Sequence, residues 1–70
     1  MFHLRKRKIH YKGYIKIYDP KHLEADKNGY VLEHRKIMDK ELNKKGRNNV
    51  VHHIDGNKSN NKKNNLLIKI

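Results

Sequence analysis

Apolar and polar positions alternate from Tyr14 to Tyr18, with Ile15 and Ile17 on one side and Tyr14, Lys16 and Tyr18 on the other. A period of two belongs to a half-buried β-strand. Asp19-Pro20 ends it, because proline donates no ladder hydrogen bond and restrains the residue before it. Asp26-Lys27-Asn28-Gly29 has turn composition, after which Tyr30-Val31 returns to the core. From Leu32 the spacing lengthens to three and four. Val31, His34 or Arg35, Met38 and Leu42 share one face with Ile37 beside them, and Glu33, Lys36, Lys40 and Lys44 point outward. This predicts a helix over residues 32 to 44, with Lys44 and Lys45 at the negative end of its dipole and Gly46 as its stop.

Beyond the link Arg47-Asn48-Asn49, the run Val50-Val51-His52-His53 is an apolar strand ending in two histidines. A polar tip reverses the chain over residues 55 to 64, and Asn65-Leu66-Leu67-Ile68 opens a second apolar run, the pattern of a β-hairpin with a long tip. Gly56 sits where a positive φ is useful, and Asn57, Asn60, Asn61 and Asn64 are suited to bonding the backbone locally. The expected fold class is therefore α+β: a hairpin preceded by a short strand and one helix.

Seventy residues make one small domain with a small core, and such folds usually need a staple. With no cysteine the staple is neither a disulfide nor a Cys-type zinc site, leaving a His- or Asn-bound ion, a second chain as in a dimer, or DNA. The formal charge of +11, from 18 Lys and Arg against 7 Asp and Glu, points to a polyanionic partner, since each neutralised phosphate releases counterions. An AT-rich genome, which favours Lys and Asn codons, is the bland source of the same excess. No apolar run approaches the ~18 residues of a membrane span, and Arg5-Lys6-Arg7-Lys8 lacks the apolar stretch of a signal peptide. A cytoplasmic protein with no membrane partner is expected. Residues 1 to 12 are a basic N-terminal arm, either lying along phosphates or frayed as a terminus, in which His3 and His10 have no partner at metal-ligand spacing, and residues 13 to 70 are the domain.

Imidazole titrates near neutrality, with an unperturbed pKa of about 6.5, and is the commonest protein metal ligand, so histidines at a strand end beside a polar loop are candidates for chemistry. Successive strand residues point to opposite sides, so His52 and His53 should divide the work rather than face one ion together. The stretch VVHHIDGNKSNNKKNNLLI resembles the His-His-to-Asn-Leu signature of the HNH endonucleases, in the ββα-metal or His-Me finger group. Upstream, YIKIYDPKH and DKNGYVLEHR are similar to the phage-type, homing-endonuclease-like branch of that family, so the likeness spans nearly all of residues 13 to 70.

The resemblance implies hydrolysis of DNA phosphodiester bonds by a phage- or mobile-element-encoded enzyme. It implies His53 as general base, His52 as metal ligand, and Asn65 as the residue whose amide pins the loop and orients the base. One divalent ion is implied (Mg²⁺, Mn²⁺, Ni²⁺ or Zn²⁺), with no small-molecule cofactor. Many relatives carry aspartate where His52 stands, which should move preference away from Mg²⁺. Asp55 is a candidate substitute oxygen ligand or a turn cap. In the family the second strand leads into a helix bearing a further His or Asn ligand; this chain stops at Ile70, so the motif is expected to be incomplete at its C-terminus.

The expected contacts to duplex DNA are His34, Arg35, Arg47, Lys58, Lys62 and Lys63, chosen on charge and nearness to the hairpin. The tyrosines of the first strand are either base-stacking surfaces or core edges. Two other readings compete with the nuclease: a basic DNA-binding remnant of the same fold with little or no activity, and an RNA-binding structural protein.

Overall fold

The computed structural model describes residues 8 to 69; the start of the basic arm, His3 included, and Ile70 lie outside the described residues. The domain is α+β, with two antiparallel sheets of three and two strands and two short helices. Strand β1 (Lys8–Tyr11) pairs with β2 (Tyr14–Tyr18), and β2 pairs with β3 (Tyr30–Leu32). The segment assigned from sequence to the arm therefore contributes a strand. Lys12 and Gly13 make the β1–β2 turn with φ of 52° and 88°, the two positive values that a two-residue hairpin requires.

Between β2 and β3 the chain is held by Asp26, whose carboxylate accepts from the backbone N–H of Asn28 and Tyr30 and from Lys16 Nζ at 2.9–3.0 Å. Strand β3 runs directly into α1 (Glu33–Ile37), and α2 (Asp39–Lys45) follows after Met38. The one helix expected over 32 to 44 is thus broken at Met38, whose φ of −95° and ψ of 17° leave the helical well. Both pieces still deliver their apolar residues inward. Gly46, at φ 109°, ends α2, and its N–H closes on the Leu42 carbonyl at 2.8 Å.

Strands β4 (Val50–His53) and β5 (Leu66–Lys69) form the expected hairpin, in register Val51↔Ile68 and His53↔Leu66. Met38, Leu42, Val51 and Leu66 make the core between α2 and the hairpin, with Ile37 and Ile68 against it. Fully burying a side chain such as Leu42 is worth on the order of 2 kcal/mol. Because the hairpin buries only one face, β4 alternates strictly: Val50 and His52 are exposed, Val51 and His53 buried.

A polar cluster ties the helices to the start of β4. The Glu24 carboxylate takes Arg35 through Nε and Nη2 (2.6 and 3.0 Å) and Arg47 through Nε and Nη2 (3.0 and 2.8 Å). Arg35 also donates to the carbonyls of Arg47 and Asn49, and Arg47 to Asp39 and Asn43. His22 Nε2 lies 2.9 Å from both Asp39 oxygens. Hydrogen bonds and charge from Arg35 and Arg47 outweigh partial burial and hold the Glu24 carboxyl down at about 2. No helix among the described residues is long and apolar enough to cross a membrane.

Candidate active site

The end of β4 presents His52 and His53 to opposite sides, as strand geometry demands. His53 is only 7% exposed. Its Nε2 lies 2.7 Å from Asn61 Oδ1, and Asn61 Nδ2 donates at 2.8 Å to Oε1 of Glu33. The other Glu33 oxygen pairs with Lys8 Nζ at 2.9 Å. Burial raises the Glu33 pKa, but the bonds from Asn61 and Lys8 outweigh it, and the carboxyl sits below its ordinary range. Glu33, expected on the outer face of the helix, is instead buried and turned toward the hairpin.

His34 is also buried, at 5% exposure, which corrects its expected place as a surface phosphate contact. Its ring stacks on Tyr14 with centroids 5.5 Å apart, and meets His53 at 4.7 Å. Burial, then the nearby His53 and Arg35 charges, push its pKa down to about 4, so it is neutral at physiological pH. Its Nδ1 is buried with no hydrogen-bond partner among the described residues.

Asn65 is 9% exposed and works on the loop as an amide should. Its Nδ2 donates to Asp55 Oδ1 and to the Asn60 carbonyl, both at 2.9 Å, and its Oδ1 accepts from the Asp55 N–H at 3.2 Å. The Asn65 carbonyl accepts from Ile54 N–H at 2.9 Å, so one residue closes both sides of the loop neck. Asp55 in turn accepts from Asn57 N–H and Asn60 Nδ2 at 2.8 Å, and these bonds with that of Asn65 hold its carboxyl at about 2. Asp55 is thereby a loop organiser, and its expected alternative as a metal ligand finds its oxygens already engaged. Gly56 turns the tip at φ 77°.

A cleft of about 250 Å³ lies against the strand end, lined by Tyr14, Val50, Val51, His52, His53, Gly56 and Lys58. Lys58 Nζ stands 4.8 Å from the centre of the Tyr14 ring, placing a cation at the cleft wall. Tyr14, between His34 and Lys58, is a wall of the site rather than a free stacking surface.

The sequence-chosen residues separate into two groups. His52, His53, Asn65 and Lys58 gather at the cleft or its loop, with Lys62 exposed beside them and Lys63 paired to Glu41 at 3.2 Å. Arg35 and Arg47 lie in the Glu24 cluster with their guanidinium groups committed, so their expected role as phosphate contacts is corrected to a structural one. Sequence reasoning missed Glu33, Asn61 and Tyr14. The pattern offered no signal for Glu33, while Asn61 was indistinguishable from the other asparagines of the tip.

For an ion, the described residues supply His52 on the open rim of the cleft, and no group of three His, Cys, Asp or Glu comes together among them. One imidazole is a suitable first ligand for a borderline-soft divalent metal, and further positions would fall to phosphate oxygens and water. Comparison with protein-family models, curated proteins and solved structures gives no match for this chain.

Proposed function

We propose that the protein is a metal-dependent HNH-type endonuclease acting on duplex DNA. The observation that carries this reading is His53 itself: a buried imidazole fixed by a side-chain amide, opening on a cleft beside a cation and above a loop pinned by Asn65. Phosphodiester hydrolysis requires a base for the attacking water and neutralisation of the scissile phosphate. His53 takes a proton from water as the water oxygen bonds to phosphorus. The bond from phosphorus to the 3′ oxygen breaks on the opposite side, and the departing oxygen takes a proton from solvent, leaving a 5′ phosphate and a 3′ hydroxyl. Lys58 stands at the cleft wall, where its charge neutralises the phosphate. A divalent ion, for which His52 is the protein ligand at hand, supplies further charge at the phosphate and the leaving oxygen when bound.

The high positive charge and the lysines of the tip support DNA as the partner through phosphate contacts. Among the described residues His52 is the one candidate ligand at the cleft, which favours a second reading, a DNA-binding domain of the same shape with feeble or no cleavage. Nicking of a supercoiled plasmid, with and without Mn²⁺, separates the two. Metal-dependent conversion to the open circle that disappears in His53→Ala is the expected result. Tight binding with no nicking under any divalent ion overturns the enzyme and leaves the binding domain.

A further inference from the structure

We infer that Asn61 and Glu33 are positioning residues that hold His53 in a single tautomer, with the proton on Nε2 and the lone pair on Nδ1, so that Nδ1 is the basic atom. The functional meaning rests on the nuclease reading; the tautomer itself does not.

Glu33 is the member of this hydrogen-bond series that has no freedom. An ionised carboxylate only accepts hydrogen bonds, so the atom that Asn61 presents to Glu33 Oε1 at 2.8 Å must be its NH₂. That fixes the amide. Its oxygen then faces His53 Nε2 at 2.7 Å, and since an amide oxygen carries no hydrogen, Nε2 must be the donor. In neutral imidazole one nitrogen is N–H and the other is not, so the lone pair belongs to Nδ1. Turning the amide over sets oxygen against carboxylate and leaves a buried carboxylate without its donor. With Glu33 8% exposed, that arrangement is strongly disfavoured.

The order of the chain also explains its reach. Lys8 on β1 holds one Glu33 oxygen, Glu33 at the start of α1 holds Asn61, and Asn61 in the tip holds His53 on β4. The imidazole is thereby oriented from the three-stranded sheet as well as from its own hairpin. Asn65 fixes where the loop lies, and Asn61 fixes which nitrogen of the base is free. The same arrangement accounts for a buried glutamate that the hydrophobic pattern assigned to solvent.

Two-bond ¹⁵N–¹H correlation spectra of the ring nitrogens, recorded at mildly alkaline pH on the whole chain with ¹⁵N-labelled histidine, test this directly. The wild type should show His53 with a protonated Nε2 and a lone-pair Nδ1. Asn61→Leu should let the Nδ1-protonated form become populated, and Glu33→Gln, whose amide can donate as well as accept and so no longer fixes which way Asn61 faces, should do so in part. In nicking assays Asn61→Leu should lower kcat by roughly ten- to a hundredfold with KM little changed, as expected when a base loses its tautomer. A wild-type His53 protonated on Nδ1, or an Asn61→Leu spectrum unchanged at His53, overturns the inference. If Asn61→Leu does not fold, the wild-type and Glu33→Gln spectra decide, and an unchanged Glu33→Gln spectrum at His53 counts against the inference. If the tautomer is as stated but the wild type does not nick DNA, the nuclease reading fails and the positioning of His53 stands.

Discussion

His34 and His53 meet with ring centroids 4.7 Å apart and planes inclined at 57°, one from α1 and the other from the end of β4. Burial against Tyr14, with His53 and Arg35 close by, keeps His34 neutral.

That neutrality gives a stability prediction with a definite sign. The unfolded chain protonates His34 around 6.5, but the folded chain does so only near 4, so the unfolded state binds the extra proton in between. Stability contributed by the neutral ring is whole above 6.5 and is lost as pH falls towards 4, by at most on the order of 3 kcal/mol. Glu24, held at about 2, adds a second loss only below its ordinary value of 4.5. Urea unfolding followed from pH 7 to pH 4 should show the first loss, and His34→Phe, which keeps the ring stack on Tyr14, should flatten it. A wild-type curve already flat over that range would contradict the burial of a neutral His34.

On the proposed mechanism, truncating His53 separates chemistry from affinity. His53→Ala should abolish nicking while leaving duplex binding within about twofold, because a general base acts in the transition state whereas affinity comes from many cations. Gel shift and nicking measured on one preparation provide the check. Parallel loss of both would make His53 a structural residue.

The hairpin and its strict alternation were legible because each is local: a period of two and an Asn-rich tip between two apolar runs. The break at Met38 was not, since the apolar spacing of Val31, Met38 and Leu42 is the same whether or not the helix is interrupted. Strand β1 was masked by its cations. Its Lys-Gly turn between two tyrosines was the one available signal. Glu33, His34, Arg35 and Arg47 were misplaced for a common reason. Charge predicts exposure by default, and only tertiary partners such as Asn61, Glu24 and Tyr14 can bring such groups inside.

The two roles of basic residues can be told apart by salt. Lys58→Ala should weaken duplex binding and reduce the log–log salt slope by about 0.9, the share of one phosphate contact, with little change in stability. Arg35→Ala should instead cost stability, by about 1–3 kcal/mol, because Glu24 is left with Arg47 as its partner and the carbonyls of Arg47 and Asn49 lose their donor. Denaturation paired with binding titrations at several salt concentrations measures both. An Arg35→Ala protein of wild-type stability with a reduced salt slope would return that residue to the DNA surface.

His52 leads to a prediction about the ion. Imidazole is a borderline donor that suits Mn²⁺, Co²⁺, Ni²⁺ or Zn²⁺ better than Mg²⁺, which prefers oxygen ligands and gives up its waters reluctantly. At the exposed rim of the cleft, His52 can be exchanged without disturbing the core beneath Val51. Nicking should therefore be faster with Mn²⁺ or Ni²⁺ than with Mg²⁺, should stop when the ion is chelated, and should shift towards Mg²⁺ in His52→Asp. Rates compared across these ions at fixed ionic strength, with thermal unfolding of both proteins as the control for folding, check the assignment. Equal wild-type rates in Mg²⁺ and Mn²⁺, together with no change of preference in His52→Asp, would take His52 away from the ion and leave phosphate oxygens and water to hold it.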